Sequence, residues 1–148
     1  QQCDYLVVYI HWGTENSTEI DWAQEKQAAQ IAWAGVDLIV GDHPHCLQKM
    51  AAIDGVPVIY SLGNFWFNSK DLDTGLLQVT ISMNGEHAPQ VRFIPARQQG
   101  CETFLATGSE KERILNEMRE LSAGVTLNED GILIFDGSLK ITGLKNHA

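Results

Sequence analysis

Continuous apolar runs and helical stripes alternate in the first sixty residues. Tyr5-Leu6-Val7-Val8-Tyr9-Ile10 and Asp37-Leu38-Ile39-Val40-Gly41 lack polar alternation. Runs of this kind mark buried, parallel strands. Between them, Asp21 to Ala34 is rich in Ala, Gln, Glu and Lys, which are good helix formers. Ala28, Ile31, Ala32 and Trp22 supply an apolar stripe. Thr18 or Asp21 can cap the helix start, and Gly35 stands at C′. This order predicts a βαβ unit. Cys46 to Ala52 reads as a short helix or turn, and Asp54-Gly55 as a tight turn. Val56-Pro57-Val58-Ile59-Tyr60 is a third strand.

The pattern then changes. Leu76 to Ser82 alternates in period two, as a half-exposed antiparallel strand does. Met83-Asn84-Gly85 makes the turn and Gln90 to Ile94 returns, with Pro95 ending the pairing or marking an edge. Ser109-x-x-Glu112 reads as a capping box opening a helix to about Ser122. Its stripe is Ile114, Leu115, Met118 and Leu121, and Gly124 caps its end. Gly131 to Phe135 is a last short strand, and the tail from Gly143 is expected to fray. The fold class expected is α/β (α+β): a βαβ unit, then an antiparallel hairpin and a C-terminal helix, with no internal boundary across residues 1–148.

Composition narrows the function classes. Of 148 residues, 44% are apolar and 20% charged, an ordinary globular balance. No run approaches the roughly 18 apolar residues of a membrane span. The net charge of −9 argues against nucleic-acid binding, which needs basic patches, and does not repel metal cations. Cys3, Cys46 and Cys101 are odd in number and widely spaced, which favours free thiols over a disulfide framework or zinc ribbon.

Chemistry gathers where the strands end. The three strands run into His11-Trp12-Gly13-Thr14-Glu15, Gly41-Asp42-His43-Pro44-His45 and Ser61-Leu62-Gly63-Asn64-Phe65. Open α/β sheets bind ligands at such carboxyl ends. Pro44 should hold His43 extended, so that His43 and His45 face one side. Three imidazoles, His11, His43 and His45, then make a metal site suited to Zn, Mn or Fe. An open coordination position would make a metal-bound water the nucleophile. Asn64 is expected to orient a substrate oxygen or to shape its loop. Glu15 and Asp42 are expected as partners of ring N–H groups or as plain exposed carboxylates. His87 and His147 are expected to be solvated.

The motifs HWGTE, VDLIVGDHPHCLQ, VPVIYSLGNF and GLLQVTI, with the later IPARQQGCETFLATGSEKERILNEMRELS, resemble CapA-type poly-γ-glutamate capsule biosynthesis proteins. The resemblance covers roughly residues 5 to 122. It implies kinship with calcineurin-like metallophosphatases and their four-layer αββα sandwich, of which this chain would be the C-terminal half. It aligns His11 with that superfamily's isolated metal-binding histidine, and His43 and His45 with its histidine pair. The superfamily's bridging Asp and Asn-His motif have no counterpart ahead of His11. Two metals are therefore implied for a full-length protein, and one at most, or none, for this chain. An incomplete sandwich should also expose an apolar sheet face, inviting self-association or the missing N-terminal half. The function implied is a metal-dependent phosphoesterase or other hydrolase of capsule synthesis. The alternative is a non-catalytic, polymer-binding or assembly component of the polyglutamate machinery. The partner would be the anionic polymer or a phosphoester, at the cell envelope and membrane-associated.

Overall fold

A computed structural model describes residues 3–67, 70–82 and 87–135. The expected turn at Met83-Asn84-Gly85, His147 and the tail from Gly143 lie outside these residues. The α/β (α+β) class is the one observed. A four-stranded sheet carries β1 (Val7–His11), β2 (Leu38–Asp42), β3 (Met50–Ile53) and β4 (Val56–Ile59) in the order β1-β2-β4-β3. β1 and β4 pair parallel with β2, and β3 pairs antiparallel with β4. Helix α1 (Trp22–Trp33) joins β1 to β2. Asp21 is its cap: its carboxylate accepts from the Gln24 N–H while the Gln24 side chain accepts from the Asp21 N–H.

Strand alternation sends side chains to two cores. Ile39, Val56 and Val58, with Val8 and Ile10 of β1, pack on Ala28 and Ala32 of α1. Leu38, Val40, Met50 and Ile59 face the opposite way. They meet β6 (Gln90–Gln99), α2 (Gly108–Leu121) and the β8–β9 pair (Val125–Leu127 and Leu133–Phe135). Burying each such aliphatic side chain contributes about 1.5–3 kcal/mol, so this two-sided burial dominates stability.

Several expectations need correction. The first strand is not buried: β1 is an edge, with Val7 47% and Tyr9 68% exposed. Both line an open apolar cleft of about 380 Å³ with Leu38, Val40, Leu62 and Leu77. An uncovered apolar sheet face is therefore present. Residues 46–52 are not a helix: Leu47 bridges to Leu62, and β3 follows. The hairpin turn at Asp54 and Gly55, with φ of 50° and 80°, is as expected.

Pro95 does not end the second hairpin. β5 (Leu72–Thr80) pairs with β6 along their length, Gly75 opposite Pro95, and β7 (Glu102–Leu105) adds a third strand that the pattern did not reveal. Pro95 is tolerated because its missing N–H belongs to the side facing Ala106, one residue past the end of β7. The Gly75 N–H donates elsewhere, to the Leu62 carbonyl. Helix α2 begins at Gly108, capped by Thr107 without a side-chain bond, so the Ser109 capping box does not form. Its end is capped by Ser122, with Gly124 two residues beyond. The stripe of Ile114, Leu115 and Met118 is buried as expected. Trp22 and Trp33, by contrast, stand exposed.

Two polar devices hold these pieces. Asp73 of β5 accepts from Arg97 of β6 at 2.8 Å and from both Arg113 guanidinium nitrogens of α2 at 2.7 Å. These bonds, Arg113's first, hold its carboxyl below the usual carboxylate range against the opposing effect of burial. The second device is a chain of buried amides. Gln24 Nε2 donates to Gln48 Oε1 at 3.0 Å, and Gln48 Nε2 donates to the carbonyls of Ser17 and Glu19 at 2.9 and 3.3 Å. Both glutamines are fully buried. They fasten the irregular segment after β1 to the body of the sheet.

Asp73→Asn should destabilise the chain by about 1–2 kcal/mol at pH 7, measured by urea unfolding. A depressed carboxyl contributes stability above its unfolded pKa of about 3.9 and loses it as pH falls through the folded value. The gap between wild type and variant should therefore close below about pH 4, and a constant gap at about pH 2 would contradict the role given to Asp73. Gln48→Ala should cost about 1–3 kcal/mol, because it leaves the buried Gln24 Nε2 without its acceptor and takes one donor from each of the Ser17 and Glu19 carbonyls. Hydrogen exchange should speed up across residues 13–19, and an unchanged rate there would show that the amides do not anchor the segment.

Candidate metal centre

Because β1, β2 and β4 run parallel, their carboxyl ends share one edge of the sheet. The loop after β1 folds over the loop after β2. The Asn16 N–H donates to the Pro44 carbonyl at 2.7 Å, and the Trp12 N–H to the Asp42 carbonyl at 3.2 Å. The Trp12 indole passes over β2 and donates to the Tyr60 carbonyl at 2.9 Å. Gly41 lies beneath it: a Cβ there would collide with the indole and with that carbonyl. The glycine of the GDHPH motif thus serves the close approach of Trp12.

The His-Pro-His turn is not extended. His43 and His45 have φ of 97° and 61°, and Asn16 in the facing loop has 59°. Proline's steric push on His43 is overridden by the turn. Non-glycine residues held at positive φ cost about 1–3 kcal/mol each and concentrate at functional sites. The two imidazoles still converge, with ring centroids 5.9 Å apart. Glu15 joins them: one ligand atom each from Glu15, His43 and His45 lie within 4.8 Å of one another.

The surrounding groups set the rings. His45 Nδ1 lies 2.7 Å from Asn64 Oδ1, an oxygen that only accepts, so the proton sits on Nδ1 and the Nε2 lone pair is free. The Phe67 ring packs at 5.4 Å against the same imidazole. His11 Nδ1 lies 2.9 Å from Asp42 Oδ1, while Asp42 Oδ2 accepts from the Tyr9 hydroxyl at 3.1 Å. Burial foremost, and then that bond to Asp42, raises the Tyr9 pKa. The His11 ring rests 4.4 Å from that of His43, but His11 is outside the tight three-residue group and its side chain is 69% exposed. His87 is exposed, as expected.

The expected residues therefore divide. His43 and His45 come together, Asn64 and Asp42 orient rings, and His11 flanks the cluster. Glu15, read from the sequence as an outer partner or exposed carboxylate, lies exposed with a carboxylate oxygen within 4.8 Å of the His43 and His45 ring nitrogens. Its place in HWGTE, four residues after His11, was the available signal. Nothing in the pattern marked Gln24 and Gln48, whose burial follows from tertiary packing. Cys46, beside His45, donates its thiol to the Ser17 carbonyl at 3.3 Å, and burial raises its pKa. None of the three cysteines is joined in a disulfide among the described residues.

A donor set of two neutral imidazoles and one carboxylate fits a borderline divalent metal such as Zn, Mn or Fe. The set holds one carboxylate, and Asp42 is already engaged by His11 and Tyr9. A second ion about 3.5–4 Å away would need a bridging group that these residues do not supply.

Residues 1–69 match the family model described as "Bacterial capsule synthesis protein PGA_cap". The chain is 31% identical over 139 residues to "PGA biosynthesis protein CapA" of Bacillus subtilis (strain 168), covering 92% of this chain and 37% of that protein. It is 33% identical over 119 residues to "Capsule biosynthesis protein CapA" of Bacillus anthracis, covering 78% of this chain and 28% of that protein. The chain thus spans about a third of the length of these curated relatives. The resemblance read from HWGTE, GDHPH and SLGNF holds across both comparisons, and the chain belongs to the CapA-type family of bacterial capsule synthesis proteins.

Proposed function

We propose that the chain forms the histidine wall of a single-metal hydrolytic site acting in capsule synthesis at the cell envelope, on a phosphoester or an amide of an anionic polymer. The observation that carries this reading is the convergence of Glu15, His43 and His45 within 4.8 Å. His43, His45 and Glu15 would hold the ion, with His11 as the neighbouring imidazole. A divalent transition metal supplies Lewis acidity there and lowers the pKa of water towards neutrality.

The chain's own residues do the positioning. Asn64 keeps the His45 proton on Nδ1 and so leaves Nε2 as a donor atom. Phe67 blocks one side of that ring and limits its rotation. Asp42 contacts His11 Nδ1 as Asn64 contacts His45 Nδ1, and so orients that ring. The loop held by Gln48 delivers Glu15. The reaction class rests on the metallophosphatase kinship that the motif resemblance implies.

Dialysis against Mn or Zn followed by elemental analysis should find about one ion per chain. His43→Ala should lose it while near-UV circular dichroism is preserved. Asn64→Ala should weaken binding by about 10–100-fold, the usual cost of losing an outer partner. Two tightly held ions, or an ion retained in His43→Ala, would overturn the single-metal reading. No uptake by either protein would leave the non-catalytic, polymer-holding role.

A further inference from the structure

Lys70 stands at the rim of the cluster and has no part in the reading so far. Its Nζ donates to Asn16 Oδ1 at 3.3 Å, and Asn16 follows Glu15 in the chain. The same Nζ lies 5.9 Å from the centroid of Phe67, the ring that packs on His45. One ammonium therefore touches the loop that carries Glu15 and the ring that packs on His45. Its partners are neutral. Lys49 pairs with Glu25, and Arg97 and Arg113 share Asp73, but Lys70 makes no ion pair among the described residues. Among the described residues its contacts are with neutral groups, in a chain of net charge −9.

An unsatisfied donor lies in the neighbouring loop. Asn64 Nδ2 is buried without an acceptor among the described residues, on the same amide whose oxygen holds His45. Buried donors are paired in the great majority of cases, so an orphan beside a ligand cluster calls for an incoming oxygen.

We infer that Lys70 is the recognition position for an anionic oxygen of the substrate, a carboxylate or phosphoryl oxygen, brought against the Glu15, His43 and His45 cluster. This rests on the hydrolytic reading above and names the charge class of its substrate. The chemistry favours it in three ways. A 3.3 Å bond from the ammonium to a neutral amide oxygen is readily exchanged for one to an anionic oxygen, which is shorter and stronger. The lysine stem and the cation–π contact hold the ammonium over Phe67 while it exchanges partners. A polyanion approaching a net negative surface also needs a local cation to enter.

The test is calorimetric titration of the manganese-loaded protein with inorganic phosphate and, separately, with a short glutamate oligomer. Lys70→Met keeps the apolar stem and removes the charge, while Lys70→Arg keeps the charge. Lys70→Met should weaken anion binding about tenfold and flatten its salt dependence, with metal content unchanged. Lys70→Arg should stay within about threefold of wild type. Loss for phosphate alone identifies a phosphoryl group as the ligand. Loss for the oligomer alone identifies a carboxylate. Either result supports the assignment. Wild-type affinity for both anions in Lys70→Met overturns it, even if that variant melts at a lower temperature. Metal content of His43→Ala, read in parallel, judges the metal site separately, so the two failures are distinguishable.

Discussion

The site depends on how an irregular loop is held against a strained turn. Residues 12–21 have no regular hydrogen-bond ladder of their own, yet they carry Glu15. The fully buried amides of Gln24 and Gln48 supply what a ladder would, gripping the carbonyls of Ser17 and Glu19. The Asn16 N–H closes the contact on Pro44. A buried amide chain with its donors used is worth keeping only if the geometry it fixes matters, because a partner left unpaired costs about 1–3 kcal/mol. Here it offsets positive φ at Asn16, His43 and His45 and brings a carboxylate to two imidazoles.

Where the elements were legible, periodicity and burial agreed. The parallel strands, α1 with its Asp21 cap, the Asp54-Gly55 turn and the α2 stripe all follow from patterns that packing reinforces. Where they were not, tertiary context decided. Cys46 to Ala52 reads as a short helix or turn, and its end becomes part of the strand β3 only by pairing with β4. Pro95 sits in a central strand because its ring nitrogen faces beyond the end of β7. The Ser109 box fails because α2 begins at Gly108, ahead of the serine that was to cap it. At the site, the three strand-end motifs placed His43, His45 and Asn64 correctly as neighbours. The extended backbone assumed for His-Pro-His was wrong, and the approach of Glu15 to the pair had no signal beyond its place in HWGTE. Proline's local preference is a matter of about a kilocalorie or two, and a turn pinned at Pro44 from a facing loop can override it.

The electrostatics are one-sided in an informative way. His11, His43 and His45 line one rim, with Asn64 and Asp42 in contact with the two rings they touch. The carboxylate complement is thin: Glu15 alone stands in the cluster, while Asp42 serves His11 and Tyr9. The open apolar cleft beside β1 begins at Asp42 and extends to Leu77 and Val79. Site and cleft therefore share one edge of the sheet, and the chain presents ligands on a surface it does not itself enclose.

X-ray absorption of the zinc-loaded chain tests the central claim most directly. The account predicts two imidazole scatterers and carboxylate oxygen around the ion, with the imidazole count falling by one in His43→Ala. A shell of oxygen alone, or an imidazole count that His43→Ala leaves unchanged, would contradict it.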